Sequence, residues 1–297
     1  MSDELRLERR PELRHPALVC AFRGWNDGGQ GASVAGHFLA RAWNAEKFAE
    51  IDPETFFDFQ ATRPHISLVE GMRRQIDWPE NTFLEAQLHD GPRDVVLLLG
   101  TEPNLRWRTF SNVVTDLALD LGVELVVTLG SLLADVPHTR PAPVTGNATD
   151  PELVEQLGLQ ASRYEGPTGI VGVVHDACRT AGIPSASLWA AVPHYVSMTP
   201  SPRAAKALSE RLADLLGVGL DTTELEAASD AYMEQVSEAV AADSETAAYV
   251  DELEHRVDEI IDESDLPSGD TLAAELTRFL REREQDDDGP DAARGDH

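Results

Sequence analysis

The densest polar constellation in the chain is Gly130-Ser-Leu-Leu-Ala-Asp-Val-Pro-His-Thr-Arg-Pro141. Within it His138 could act as a general acid or base, with Asp135 orienting its ring and Arg140 holding an anion. That set would suit a small-molecule enzyme of the nucleosidase or phosphorylase-like hydrolase type. Ser131 lacks the Gly-x-Ser-x-Gly elbow that lifts a nucleophile clear of a sheet, and a serine in such a place more commonly caps a chain end. A second stretch, Gly24-Trp-Asn-Asp-Gly-Gly-Gln-Gly31, precedes a helical pattern whose free amides could receive an anion, so Gly24, Asn26 and Asp27 are candidate ligand-binding residues. It fits neither glycine fingerprint: no Lys-Ser or Lys-Thr follows, and the spacing breaks the dinucleotide pattern. The competing reading is a tight turn in which Asn26 or Asp27 caps the helix. The third stretch, Gly100-Thr-Glu-Pro-Asn-Leu-Arg-Trp-Arg108, offers Glu102 as a base and Arg106 with Arg108 as a grip on a carboxylate or phosphate. As a plain loop, it would pair Glu102 with an arginine and lay Trp107 over the core edge. His138, His175 and His194 are far apart, and neither His-Glu-x-x-His nor a cysteine pair occurs, so no metal and no cofactor is expected.

The elements that must position these residues read as alternating strands and helices. Ala17–Phe22, Asp94–Gly100, Val123–Leu129 and Ser185–Val192 are short apolar runs without alternation, as strands covered on both faces should be. Between them Ala32, Ala35, Phe38 and Leu39 recur at helical spacing, as do Phe110, Val113, Val114 and Leu117; Gly169–Ala181 and Pro202–Leu216 read as further helices. Between Glu54 and Leu88 several β-prone pieces, broken by Pro64, Gly71 and Pro79, predict a strand followed by a meander or hairpin insertion. The order predicts an α/β fold, a mainly parallel sheet with helices on both faces, over residues 1–220. Past Gly219 the pattern becomes helical. Leu225, Tyr232 and Val236 line one face; Val250, Leu253, Val257 and Ile260 line another, and Ala242–Glu245 is either a turn or read through. A shorter helix from Thr271 to Arg283, capped by Asp270, completes an acidic helical segment over 221–284; residues 285–297 are expected to be disordered.

Composition excludes several classes of function. Of the net charge of −29, residues 221–297 carry −20, with 25 acidic side chains against 5 basic ones. So negative a surface repels phosphates, which argues against nucleic acid and anionic lipid as partners. No run approaches the length of a membrane span, and the charged start Met-Ser-Asp-Glu-Leu-Arg is unlike a signal peptide, so a cytoplasmic location is expected. Cys20 and Cys178 lie in apolar runs and behave as small hydrophobes, with no disulfide expected.

Five collinear blocks then carry a resemblance: Gly24-Trp-Asn-Asp-Gly; Gly100-Thr-Glu-Pro with Arg106-Trp107; Leu129 to Pro141; Gly166-Pro-Thr-Gly-Ile-Val-Gly172; and Ser187-Leu-Trp-Ala-Ala-Val-Pro-His-Tyr195. Together they resemble the proteasome assembly chaperone 2 family in its actinobacterial branch, over roughly Pro16 to Leu216. The resemblance implies a three-layer sandwich similar to the purine nucleoside phosphorylase fold and self-association as a homo-oligomer, a trimer favoured. It also implies a protein-binding role in assembling proteasome α-subunits, and it carries no established enzyme activity. Assembly chaperones of this type often dock through a C-terminal hydrophobic residue, Tyr, any-residue tail. This sequence ends Arg294-Gly-Asp-His297, so any proteasome contact is expected from the helical segment or the α/β surface.

Overall fold

A computed structural model describes residues 3–69, 71–148, 151–161 and 164–262. Along the chain run β1 (Leu5–Leu7), β2 (Ala17–Arg23), α1 (Gly31–Ala42), β3 (Glu46–Ile51), α2 (Pro53–Phe56), β4 (His65–Val69), β5 (Arg73–Asp77) and β6 (Asn81–Ala86). There follow β7 (Val95–Thr101), α3 (Trp107–Asp120), β8 (Leu125–Ala134), β9 (Val144–Ala148), α4 (Pro151–Leu157), β10 (Gln160–Ala161), α5 (Ile170–Ala181) and β11 (Ser185–Pro193). The last three elements are α6 (Pro202–Leu216), α7 (Thr223–Ala241) and α8 (Ser244–Asp262).

The four apolar runs form the parallel centre of a nine-stranded sheet of order β1-β3-β6-β7-β2-β8-β11-β9-β10. The register sets Val19 beside Leu97 and Val127, and Leu129 beside Leu188. Strands β1, β3 and β6 join one flank antiparallel, and β9 pairs antiparallel with β11 on the other. Because strand side chains alternate, each central strand feeds two cores. Val19, Leu97, Val127 and Leu188 meet Phe38 and Leu39 of α1 and Leu208 and Leu212 of α6. On the opposite face Leu18, Cys20, Phe22, Leu98 and Val126 meet Phe110 and Val114 of α3 and Val174 and Cys178 of α5. This makes three layers, helix, sheet, helix. Phe110 sits edge-on to both Phe22 and Phe56, with ring centroids at 5.9 and 5.4 Å, a geometry that adds about 1 kcal/mol per pair to simple burial. Both cysteines are buried free thiols, and burial pushes Cys178 up to about 12, so they serve as apolar packing.

Several expectations change. Strand β8 runs on through Ala134, which puts Ser131 inside a strand where the sequence suggests a loop. Thr55–Phe59 looks β-prone, yet its first residues close the short helix α2, because Asp52 accepts the Glu54 amide and Pro53 fills the first helical position. The antiparallel strands β1 and β3 have no apolar run to announce them; β3 is Glu-Lys-Phe-Ala-Glu-Ile, set between β1 and β6 with only Phe48, Ala49 and Ile51 buried. The insertion after α2 is a separate two-stranded hairpin, β4 with β5. Over its described residues the C-terminal segment is two helices. Asp243 ends the first and starts the second, its carboxylate accepting the Glu245 amide and the Thr246 hydroxyl. The Thr271–Arg283 helix and the 285–297 tail lie outside the described residues.

Candidate functional site

All three polar stretches stand at the C-terminal ends of the central parallel strands, where open α/β sheets gather ligands. Among the described residues they form three distinct hydrogen-bond networks.

The first is built on Asp27. After β2 the chain turns through the glycines and enters α1, whose first amides need acceptors. The buried Asp27 carboxylate takes the Ala32 amide at 2.8 Å, the Ser33 amide at 3.2 Å, the Ser33 hydroxyl at 2.6 Å and the Ser131 hydroxyl at 3.2 Å. The Ser131 amide in turn donates to the Asn26 carbonyl at 2.9 Å. Asp27 therefore caps α1 and ties it to β8. Gly31 is required where it stands, since a Cβ there would come within 2.8 Å of Ala204 and 3.1 Å of Ser131. Asn26 is buried beside Gly169, and its side-chain nitrogen has no hydrogen-bond partner among the described residues.

The second network is centred on Glu102, at the end of β7. Its carboxylate accepts the Trp25 amide at 3.1 Å and the Ile170 amide at 2.8 Å, so it caps α5 and fastens that helix to the first loop. Gly24 is the residue that allows the approach: at φ +150°, a Cβ there would come within 2.7 Å of the Glu102 Cβ. Neither arginine of the stretch pairs with Glu102. Arg106 starts α3 and reaches Glu4 at 3.7 Å, while Trp107 lies against the core and donates its indole N–H to the Pro103 carbonyl.

The third network contains Asp135, His138 and Arg140, and it lies under α7 and α8. His138 is only 3% exposed. Its backbone amide donates to the Tyr195 hydroxyl at 2.7 Å, and that hydroxyl donates in turn to Nδ1 at 2.9 Å, which leaves Nε2–H to donate to Ser237 Oγ of α7 at 3.2 Å. Burial, with the nearby Arg203 cation, holds the His138 pKa below the usual imidazole value, and burial raises Tyr195 to about 12. Both ring nitrogens of His138 are already engaged, by Tyr195 and Ser237, which suits a holding role. Asp135 lies 3.1 Å from His194 Nδ1 and accepts the Tyr249 hydroxyl of α8 at 3.1 Å. Arg140 makes a two-point pair with Asp258 of α8, at 3.0 and 2.7 Å, and Thr139 donates to Glu254. His138, His194, Tyr195 and Tyr249 stack edge to face, with centroids 5.6 to 6.0 Å apart. Beside them His138, Arg140, Ser201, Arg203 and Tyr232 line a cavity of ≈ 10 Å³, which has room for about one water.

The third histidine considered above, His175, is carried by α5 and sets its ring between the Thr128 and Ser185 hydroxyls at 2.9 and 3.0 Å; burial lowers its pKa to about 4. No grouping of His, Cys, Asp or Glu able to hold a metal occurs among the described residues. Sequence reasoning missed Tyr249, Ser237, Glu254 and Asp258, the groups that meet the third stretch. Their helical spacing was visible, but nothing local says which loop an amphipathic helix will cover.

The layers and networks define a three-layer α/β protein whose polar strand-end loops fasten helices to the sheet. The PAC2 family model matches residues 21–240, and the chain belongs to that family. The matched region takes in nearly all of α7. A PAC2 family protein from Streptomyces avermitilis is 48% identical over 79% of this chain and 99% of its own, with a TM-score of 0.74. A Mycobacterium tuberculosis proteasome-assembly chaperone homologue is 46% identical over 79% of this chain and 99% of its own, with a TM-score of 0.72. An archaeal proteasome activator from Pyrococcus furiosus shares the fold at 17% identity, over 79% and 97% of the two chains, with a TM-score of 0.65. No curated protein matches the chain. No helix among the described residues is long and apolar enough to cross a membrane.

Proposed function

We propose that this chain is a cytoplasmic, homo-oligomeric, assembly-chaperone-like protein that binds proteasome α-subunits, using a scaffold of purine nucleoside phosphorylase type without its catalysis. In this reading residues 1–220 carry the family's fold, and the acidic helices beyond them adapt it to a particular partner. The observation that carries the reading is the state of His138. The side chain best suited to catalysis is held neutral between Tyr195 and Ser237, beside a cavity of ≈ 10 Å³, too small for a nucleoside. Glu102 and Asp27 are likewise engaged by backbone amides as helix caps. Relatives described as an assembly chaperone homologue and a proteasome activator favour the same partner class.

The test mixes the purified full-length chain with recombinant proteasome α-subunits from the same organism and follows them by size-exclusion chromatography and native electrophoresis. A co-eluting complex, or faster appearance of α-rings, is expected. Independent elution with unchanged ring assembly would contradict the proposal. A chain lacking residues 221–297 then reports whether the acidic segment makes the contact.

A further inference from the structure

The β4–β5 hairpin presents an apolar face that nothing among the described residues covers. Side chains alternate along a strand, and the register sets Ile66 opposite Ile76, so Ile66, Leu68, Ile76 and Trp78 share one side. Ile66 is 64% exposed and Leu68 61%, and Met72 at the turn is 85% exposed. Five of the eight exposed large hydrophobics of the described chain fall between residues 66 and 78, which marks the hairpin as one patch. Trp78 is braced edge-on against Phe59, with centroids 4.9 Å apart, and makes a firm base for it. An isolated two-stranded hairpin is marginal in water, so a bare apolar face of this kind gains from being covered.

Charge indicates what covers it. Arg63, Arg73 and Arg74 of this segment are exposed and make no ion pair among the described residues, as is true of Arg23 and Arg108 singly elsewhere, whereas Arg6, Arg9, Arg14, Arg41 and Arg140 on the body are paired. Residues 63–78 carry three arginines against Glu70 and Asp77, a net of +1, on a chain of −29. Two such chains repel one another overall, so a contact between them needs a local element of opposite sign. The hairpin supplies one. Leu68 lies opposite Arg74, so Arg74 shares the apolar side, and two hairpins set face to face would oppose Arg74 to its own copy, which disfavours a self-matching contact and favours a head-to-tail one.

We propose that the β4–β5 hairpin docks on the acidic body of a second copy of this chain, head to tail, and so builds the homo-oligomer. This rests on the oligomeric part of the proposed function. The docking uses Ile66, Leu68, Ile76 and Trp78 for burial, and Arg74 on the same side to pair with the neighbour's carboxylates.

Sedimentation velocity on the full-length chain tests it, comparing wild type with Ile66→Ser/Leu68→Ser/Ile76→Ser and with Arg74→Glu, each checked by far-UV circular dichroism. The wild type should sediment as an oligomer at about 10 µM, and each variant should fall to monomer, with a dissociation constant raised at least about tenfold. An oligomer that survives the serine variant overturns this inference alone. A wild type that is monomeric even at about 100 µM overturns both it and the oligomeric reading. Dissociation by the serine variant with no effect of the glutamate variant would overturn the acidic body as the occupant.

Discussion

The loop from Asp135 to Arg140 and the hairpin from His65 to Asp77 are opposites. The loop is rich in groups that could do chemistry, yet each meets a partner within the chain: Asp135 with Tyr249, His138 with Tyr195 and Ser237, Arg140 with Asp258. The hairpin carries no chemistry to speak of, yet its apolar side chains and arginines stand bare. In this fold the polar strand-end motifs have become fastenings, because a buried donor or acceptor left unmatched costs about 1–3 kcal/mol and a closed network avoids that cost. The uncovered apolar face is where an outside partner has something to gain.

That contrast can be attacked in order of expected effect. The largest belongs to Asp27→Ala, which strands the Ala32 and Ser33 amides and the Ser131 hydroxyl; urea denaturation should show a loss of about 3 kcal/mol. Acid gives the next effect. His175, with a folded pKa of about 4 and an unfolded one near 6.5, binds its proton more readily in the unfolded chain. Stability is thus intact above about pH 6.5 and falls as pH drops toward about 4, by at most about 3 kcal/mol. His138, also lowered, adds in the same direction. Unfolding free energies at a series of pH values should show this slope, and His175→Gln should flatten it. A third test is His138→Ala, expected to cost about 2 kcal/mol by leaving Tyr195 and Ser237 without their partner. At the other extreme the hairpin variant Ile66→Ser/Leu68→Ser/Ile76→Ser should change the stability of the isolated chain by less than about 0.5 kcal/mol, since those side chains are already in water. Equal losses in loop and hairpin would erase the distinction.

The sequence makes the centre of this fold readable and its margins obscure. Strands β2, β7, β8 and β11 are continuous apolar runs because both faces are covered, and α1, α3, α5 and α6 show one apolar stripe because one face is. Strands of the antiparallel flank lack that signature, which is why Glu46–Ile51 passes unnoticed while its Phe48 and Ala49 are fully buried. The helix-capping alternative for Asp27 was legible because an acid ahead of an apolar helical pattern has a local reason to be there. Glu102 was harder. Its donors, Trp25 and Ile170, are distant in sequence, and the arginine partner that its own stretch suggests lies elsewhere. For His138 the residue type pointed to catalysis, whereas its role depends on Tyr195 and on Ser237, 99 residues away.

The most direct test of the central claim, that the loop from Asp135 to Arg140 is a dock for the C-terminal helices, is hydrogen exchange by mass spectrometry on the full-length chain and on His138→Ala/Arg140→Ala. The account predicts amides of α8 and the second half of α7 exchanging at least about tenfold faster in the variant, with β2 and β7 unchanged. Protection of α8 equal to wild type would contradict it.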